Sequence, residues 1–261
     1  DAYNASLSDD EIIGVNLEDD KDILGVDPGF YMLDALIKDT KEGETLKLKS
    51  DFKYGLLVDP QLKKIEINKA ITIDGGNGRH IIDADDEVMI FEINCNDVTL
   101  QNIHFKNSLF AAINCTKNVS SITIKECTFE NTVGCAVWFS GDAYNCRISG
   151  CEFKKNDPKS STYSSVNFIG KATMCSIKSN AFTDNKAVYG SALQFWGDVE
   201  KCNISNSVTG KDDEYSEIGG AVTFLGKVSD TIIGGYFKKN AAKYGGAIYF
   251  GSEVSNSVIN A

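Results

Sequence analysis

Apolar positions recur along this chain in a fixed phase, and that phase predicts its elements. The stretch Gly245-Gly246-Ala247-Ile248-Tyr249-Phe250-Gly251 has close copies starting at Gly219, Gly190 and Gly134, and a worn copy at Ser165-Val166-Asn167-Phe168. The phenylalanines closing these copies, Phe139, Phe168, Phe195, Phe224 and Phe250, lie 29, 27, 29 and 26 residues apart. Such a period belongs to stacked-coil architectures, in which each repeat buries its apolar face against its neighbours. A second mark keeps step with the first: Phe153-x-x-Asn156, Phe182-x-x-Asn185 and Phe237-x-x-Asn240, with shorter forms at Phe105 and Phe129. Between the two marks lies an alternating segment centred in successive coils on Ile73, Leu100, Ile124, Ile148, Ile177, Ile204, Ile233 and Val258. Short-period alternation favours strands over helices, and the spacing leaves room for about three short strands per coil.

Alternation also assigns faces, because neighbouring residues on a strand point to opposite sides. The positions of Ile248 and Phe250 are apolar in every copy and are expected to point inward. The position between them holds Glu92, Ala112, Trp138, Asn167, Gln194, Thr223 and Tyr249, a mixture expected of a solvent-facing column. That column, with Trp196 just past its strand, is the candidate binding face. Asn156, Asn185 and Asn240 share a turn position, where side-chain amides can bond along the stack as a ladder.

Ahead of the repeats, Phe30 to Lys38 reads as a short helix with Phe30, Leu33 and Ile37 on one face. Its expected role is to cap the apolar end and unpaired strand edges of the stack. The net charge of −11 is concentrated at the front: residues 1–30 carry −8, leaving −3 for the rest. Residues 1–26 therefore read as an acidic leader or linker, and 27–261 as one repeat domain, truncated from a longer chain. Neither part has the basic stripe that nucleic-acid binding requires, and no apolar run is long enough to span a membrane. With only 3 prolines, the composition suits strands inside sheets.

Of the 8 cysteines, Cys146, Cys175 and Cys202 share one inward slot, and Cys127 and Cys151 another. Stacked parallel Cβ vectors are awkward for a disulfide torsion, so buried free thiols acting as small hydrophobes are expected. No Cys-x-x-Cys pair suggests zinc, and no cofactor is expected. Asn-x-Ser/Thr sequons stand at Asn4, Asn114, Asn118 and Asn203. The densest acidic cluster in the repeats, Asp83-Ala84-Asp85-Asp86-Glu87, reads as a solvated turn, and Gly75 to His80 as a glycine-rich turn.

Several of these motifs together carry a resemblance. The helix, Gly43-Glu44-Thr45-Leu46, Ile71-Thr72-Ile73-Asp74-Gly75, Val98-Thr99-Leu100-Gln101-Asn102-Ile103 and the Gly-Gly-Ala and Phe-x-x-Asn marks resemble adhesin-like surface proteins of methanogenic archaea. The two repeat marks alone are similar to those of polymorphic outer-membrane autotransporter adhesins of bacteria. Covering roughly residues 30–261, the resemblance implies an all-β right-handed parallel β-helix with a short N-terminal capping helix, on a cell surface. It brings no catalytic motif. The expected function is an extracellular adhesin module, not an enzyme, whose partner is a surface glycan or protein of another cell. Its ligand-binding candidates are Trp138, Asn167, Gln194, Trp196, Thr223 and Tyr249. The alternatives are a β-helical polysaccharide lyase or glycoside hydrolase using the Asp83 to Glu87 turn, and a passive stalk.

Overall fold

A computed structural model describes residues 28–55, 59, 61–157, 163–210 and 216–261; the acidic leader lies outside them. Every strand pair is parallel, and the strands stack into a solenoid of about eight turns, the parallel β-helix that the resemblance implies. One long sheet has two arms. The first arm includes Thr72–Asp74, Thr99–Gln101, Thr123–Lys125 and Arg147–Ser149; the second includes Ile81–Asp83, His104–Lys106, Thr128–Glu130 and Glu152–Lys154. From Ser176–Thr183 onward the arms merge into single bent strands. A second sheet, running from Ile65–Ile67 to Ile248–Phe250, carries the Gly-Gly-Ala copies, and a narrow third sheet links it back to the first arm.

The core is built of columns. Phe139, Phe168, Phe195, Phe224 and Phe250 stack face to face with centroids 4.5, 4.9, 5.0 and 5.1 Å apart. Phe105, Phe129, Phe153 and Phe182 form a second stack at 5.0, 4.8 and 4.5 Å. The aliphatic column runs Ile73, Leu100, Ile124, Ile148, Ile177, Ile204, Ile233 and then Ile259. Val258, expected in the last place, pairs instead with Ile232. The constant interval from the inward phenylalanine decides it, since Ile233 follows Phe224 by the same nine residues as Ile259 follows Phe250. A similar slip moves Ala112: Cys115 fills the phenylalanine slot there, which places Asn114 beside Glu92 and Trp138 and turns Ala112 inward.

Three bends recur from coil to coil and share one design: a residue in the left-handed region followed by an inward side chain, which in the later coils bonds to backbone. At the first bend the left-handed residues include Asn145, Met174, Lys201, Asp230 and Asn256. The side chains that follow are Cys146, Cys175, Cys202, Thr231 and Ser257, each donating to the carbonyl two residues before it. Cys202 Sγ and Thr231 Oγ1 also accept the N–H groups of Cys175 and Cys202 from the neighbouring coil, at 3.3 and 3.2 Å. The second bend runs Cys127, Cys151, Asn180, Asn206. Here Asn180 Nδ2 donates to Asn206 Oδ1 at 2.9 Å, and the Cys151 N–H donates to Asn180 Oδ1 at 2.9 Å. All eight cysteines are free thiols, and the five at these bends are hydrogen-bonding rungs rather than plain hydrophobes. The third bend holds the expected ladder, with Asn156 Nδ2 donating to Asn185 Oδ1 at 3.0 Å. Asn240 stands apart from it: Nδ2 reaches the Val208 carbonyl, while Oδ1 is buried without a partner among the described residues.

The capping helix α1, Phe30–Asp39, closes the first coil and buries Phe30, Leu33 and Ile37. Its N-terminus is held by Asp59, fully buried, whose carboxylate accepts the N–H groups of Phe30 (3.0 Å), Tyr31 (2.7 Å) and Gly55 (3.1 Å). A carboxylate satisfies the free amides there and complements the positive end of the helix. A Cβ at Gly29 would come within 2.8 Å of Asp59 Oδ2, so a larger residue there would have to displace the carboxylate that holds the helix.

Candidate functional site

The outer column of the second sheet is in register from Glu92 through Asn114, Trp138, Asn167, Gln194 and Thr223 to Tyr249. Its exposure differs from expectation. Asn167, Gln194 and Thr223 are fully buried, and Trp138 and Tyr249 are half-buried. The cause is a further layer: in three successive coils the chain crosses this face before entering the sheet. Ser216–Ile218 and Ala242–Tyr244 pair as a small parallel sheet, extended by a bridge from Tyr189 to Ile218. Each crossing ends on a glycine in the left-handed region, Gly190, Gly219 and Gly245. The crossings rest directly on the column, since a Cβ on Gly219 would come 2.4 Å from Thr223 Oγ1. The Gly-Gly-Ala mark therefore signals a close backbone approach as well as a strand start.

What remains outside is an aromatic group that the sequence only half displays. Phe110 stacks on Trp138 at 5.4 Å and 22°, Tyr163 meets the other side of Trp138 at 4.4 Å, and Tyr163 approaches Trp196 at 6.4 Å. Trp138 is thus held between two rings from the flanking coils, with its Nε1 buried and lacking a hydrogen-bond partner among the described residues. Phe110 and Trp196 offer the open surface, 49% and 39% exposed. Sequence reasoning missed Phe110 and Tyr163 because both lie before their strands, outside the repeat mark. Ile169 and Leu225 occupy the same place past the strand end as Trp196, in the flanking coils, and are half-buried.

Elsewhere part of the candidate chemistry is paired off. In the Asp83 to Glu87 turn, Asp83 Oδ1 accepts from the Asp85 N–H at 3.0 Å and Asn107 Nδ2 at 2.8 Å, while Asp85 pairs with Lys53 at 2.9 Å. Arg79, carried by the glycine-rich turn, reaches Thr128 Oγ1 at 3.2 Å and lies 3.6 and 3.8 Å from Glu126 and Glu152. His104 meets Glu130 at 3.2 Å; burial lowers the His104 pKa, against the opposing pull of that carboxylate. Among the described residues, no three His, Cys, Asp or Glu side chains are grouped to hold a metal ion. No helix among them is long and apolar enough to cross a membrane.

Against known families, residues 46–209 match the one described as "Right handed beta helix region". No curated protein and no solved structure matches the chain.

Proposed function

The chain belongs to the right-handed β-helix family, and we propose that it is the binding part of an extracellular, adhesin-like surface protein that holds a glycan without cleaving it. The observation carrying this reading is the group of four touching rings on the outer face of the second sheet. Phe110 and Trp196 are the contact rings, and Trp138 and Tyr163 fix their positions. Aromatic surface of this kind suits the apolar faces of pyranose rings, and buried neighbours keep it rigid. A site on the side of a long stack fits a polymer lying along it better than an enclosed small molecule. Each contact is weak, and affinity grows through many copies on one surface. The partner is then a glycan of another cell.

A glycan array probed with the wild-type chain and with a Phe110→Ala, Trp196→Ala variant tests this. The reading expects a retained set of glycans, weakened about tenfold or more in the variant, the effect of losing roughly 1.4 kcal/mol or more of binding energy. Equal retention by both proteins, or none by either, rejects it. Release of sugar from any retained glycan would favour the lyase or hydrolase alternative.

A further inference from the structure

The three buried polar residues of the outer column are not equally satisfied. Asn167 Oδ1 accepts the Ser164 N–H at 2.9 Å and its Nδ2 donates to the Ser164 carbonyl at 2.6 Å. Thr223 Oγ1 donates to the Ile218 carbonyl, five residues before it, at 3.1 Å. Gln194 is fully buried, yet neither Oε1 nor Nε2 has a hydrogen-bond partner among the described residues. The reason lies in its coil. The Tyr189 carbonyl, five residues before Gln194, accepts from Ser164 Oγ at 2.7 Å, and the Ser191 carbonyl accepts from Ser165 Oγ at 3.0 Å. A side-chain amide buried without a donor or acceptor destabilises the fold that contains it. Such a group is expected to find a partner when the cover over it moves.

Two further observations say what that partner is. Trp196 lies two residues after Gln194, so alternation aims both to the same outer face, and Trp196 is one of the two open rings. The cover, Val188 to Gly190, is held by four hydrogen bonds: the Glu217 and Ile218 N–H groups donate to the Val188 carbonyl at 2.8 and 3.4 Å, the Gly190 N–H donates to the Ile218 carbonyl at 3.1 Å, and Ser164 Oγ donates to the Tyr189 carbonyl at 2.7 Å. Gly190, at φ 59°, ends the segment.

We propose that Gln194 is the polar anchor of the glycan site: the Val188 to Gly190 segment lifts, a neutral pyranose packs on Trp196, and the amide takes two adjacent hydroxyls. Oε1 accepts from one hydroxyl and Nε2 donates to the other. The side chains of this column at Asn167, Gln194 and Thr223 are uncharged, which favours a neutral sugar over a uronate. The inference rests on the proposed function and names its substrate class.

The test compares the wild-type chain with Gln194→Leu and Trp196→Ala on immobilised β-glucan, galactan and galacturonan oligosaccharides, with thermal unfolding alongside. Gln194→Met replaces the leucine variant if branching is not accommodated. Removing an unpaired amide is expected to raise Tm by about 2–4 °C and to weaken retention of a neutral oligosaccharide about tenfold or more. Retention lost in Trp196→Ala but kept in Gln194→Leu overturns the anchor and leaves the glycan reading standing. Retention unchanged in both overturns both. A lowered Tm in the leucine and methionine variants would make the amide a structural partner, and preferential retention of galacturonan would remove the neutral class; either result overturns the inference.

Discussion

Replacing Cys202 with threonine and with valine separates two meanings of a buried cysteine. Cys202 Sγ accepts the Cys175 N–H at 3.3 Å and donates to the Glu200 carbonyl at 3.3 Å. One coil later Thr231 occupies the same slot, accepting the Cys202 N–H at 3.2 Å and donating to the Ser229 carbonyl at 2.8 Å. Threonine therefore fits the slot and keeps both bonds. Valine has nearly the same shape but leaves a buried backbone N–H unpaired, a loss of about 1–3 kcal/mol. Urea unfolding followed by circular dichroism should place the threonine variant above the valine variant by that amount, with unchanged m-values. A thiol acting only as a hydrophobe predicts the reverse order, because threonine would then bury a hydroxyl for no gain. Valine as stable as threonine, or more so, would refute the ladder account.

Other expectations follow from the same geometry. Phe195 is fully buried between Phe168 and Phe224, so Phe195→Ala should cost about 3–5 kcal/mol in the same assay; a loss under about 1 kcal/mol would contradict the stacked column. Alkylation of the native protein without reductant should modify Cys95 alone, slowly, since the other seven thiols are buried and Cys95 is half-buried with its pKa raised by burial; denaturant should expose all eight, and a mass showing four disulfides would contradict the free-thiol state. Burial by itself would raise the pKa of Asp74, but bonds from Asn102, the Gly76 N–H and Gln101 outweigh it and hold the folded value below 3.8. Its stabilisation is thus complete above the unfolded pKa and lost as pH falls through the lower folded one. Urea midpoints should fall more steeply below about pH 4 in wild type than in Asp74→Asn; parallel profiles would count against it.

Much of the fold was legible because a solenoid repeats one local problem. The period of the phenylalanines, the aliphatic column and the Asn156 to Asn185 ladder follow from position alone. The register slips at Ala112 and Val258 arose where an inward slot is filled by Cys115, or where apolar residues occur side by side, so that alternation is ambiguous. The role of the cysteines was readable in principle from Thr231 and Ser257 in the same slot, but a thiol looks like a hydrophobe until its carbonyl is located. The outer column was the least legible. Alternation tells which face Asn167, Gln194 and Thr223 take, and nothing about a second layer crossing that face. The crossings come from the segments around Gly190, Gly219 and Gly245, whose glycines serve close approach as well as repetition. The aromatic group depended on that same layer, since Tyr163 reaches Trp138 and Trp196 from outside the strands.

Trp138 and Trp196 are the only tryptophans in the chain, which makes emission a direct report on the proposed face. Titration of the wild-type protein with an array-selected neutral oligosaccharide should give a saturable change in tryptophan emission. The same titration of Trp196→Phe should lose most of that change, because Trp138 is shielded between Phe110 and Tyr163. An emission change that persists undiminished in Trp196→Phe, or binding by calorimetry with no emission change in wild type, would place the glycan elsewhere and contradict the account.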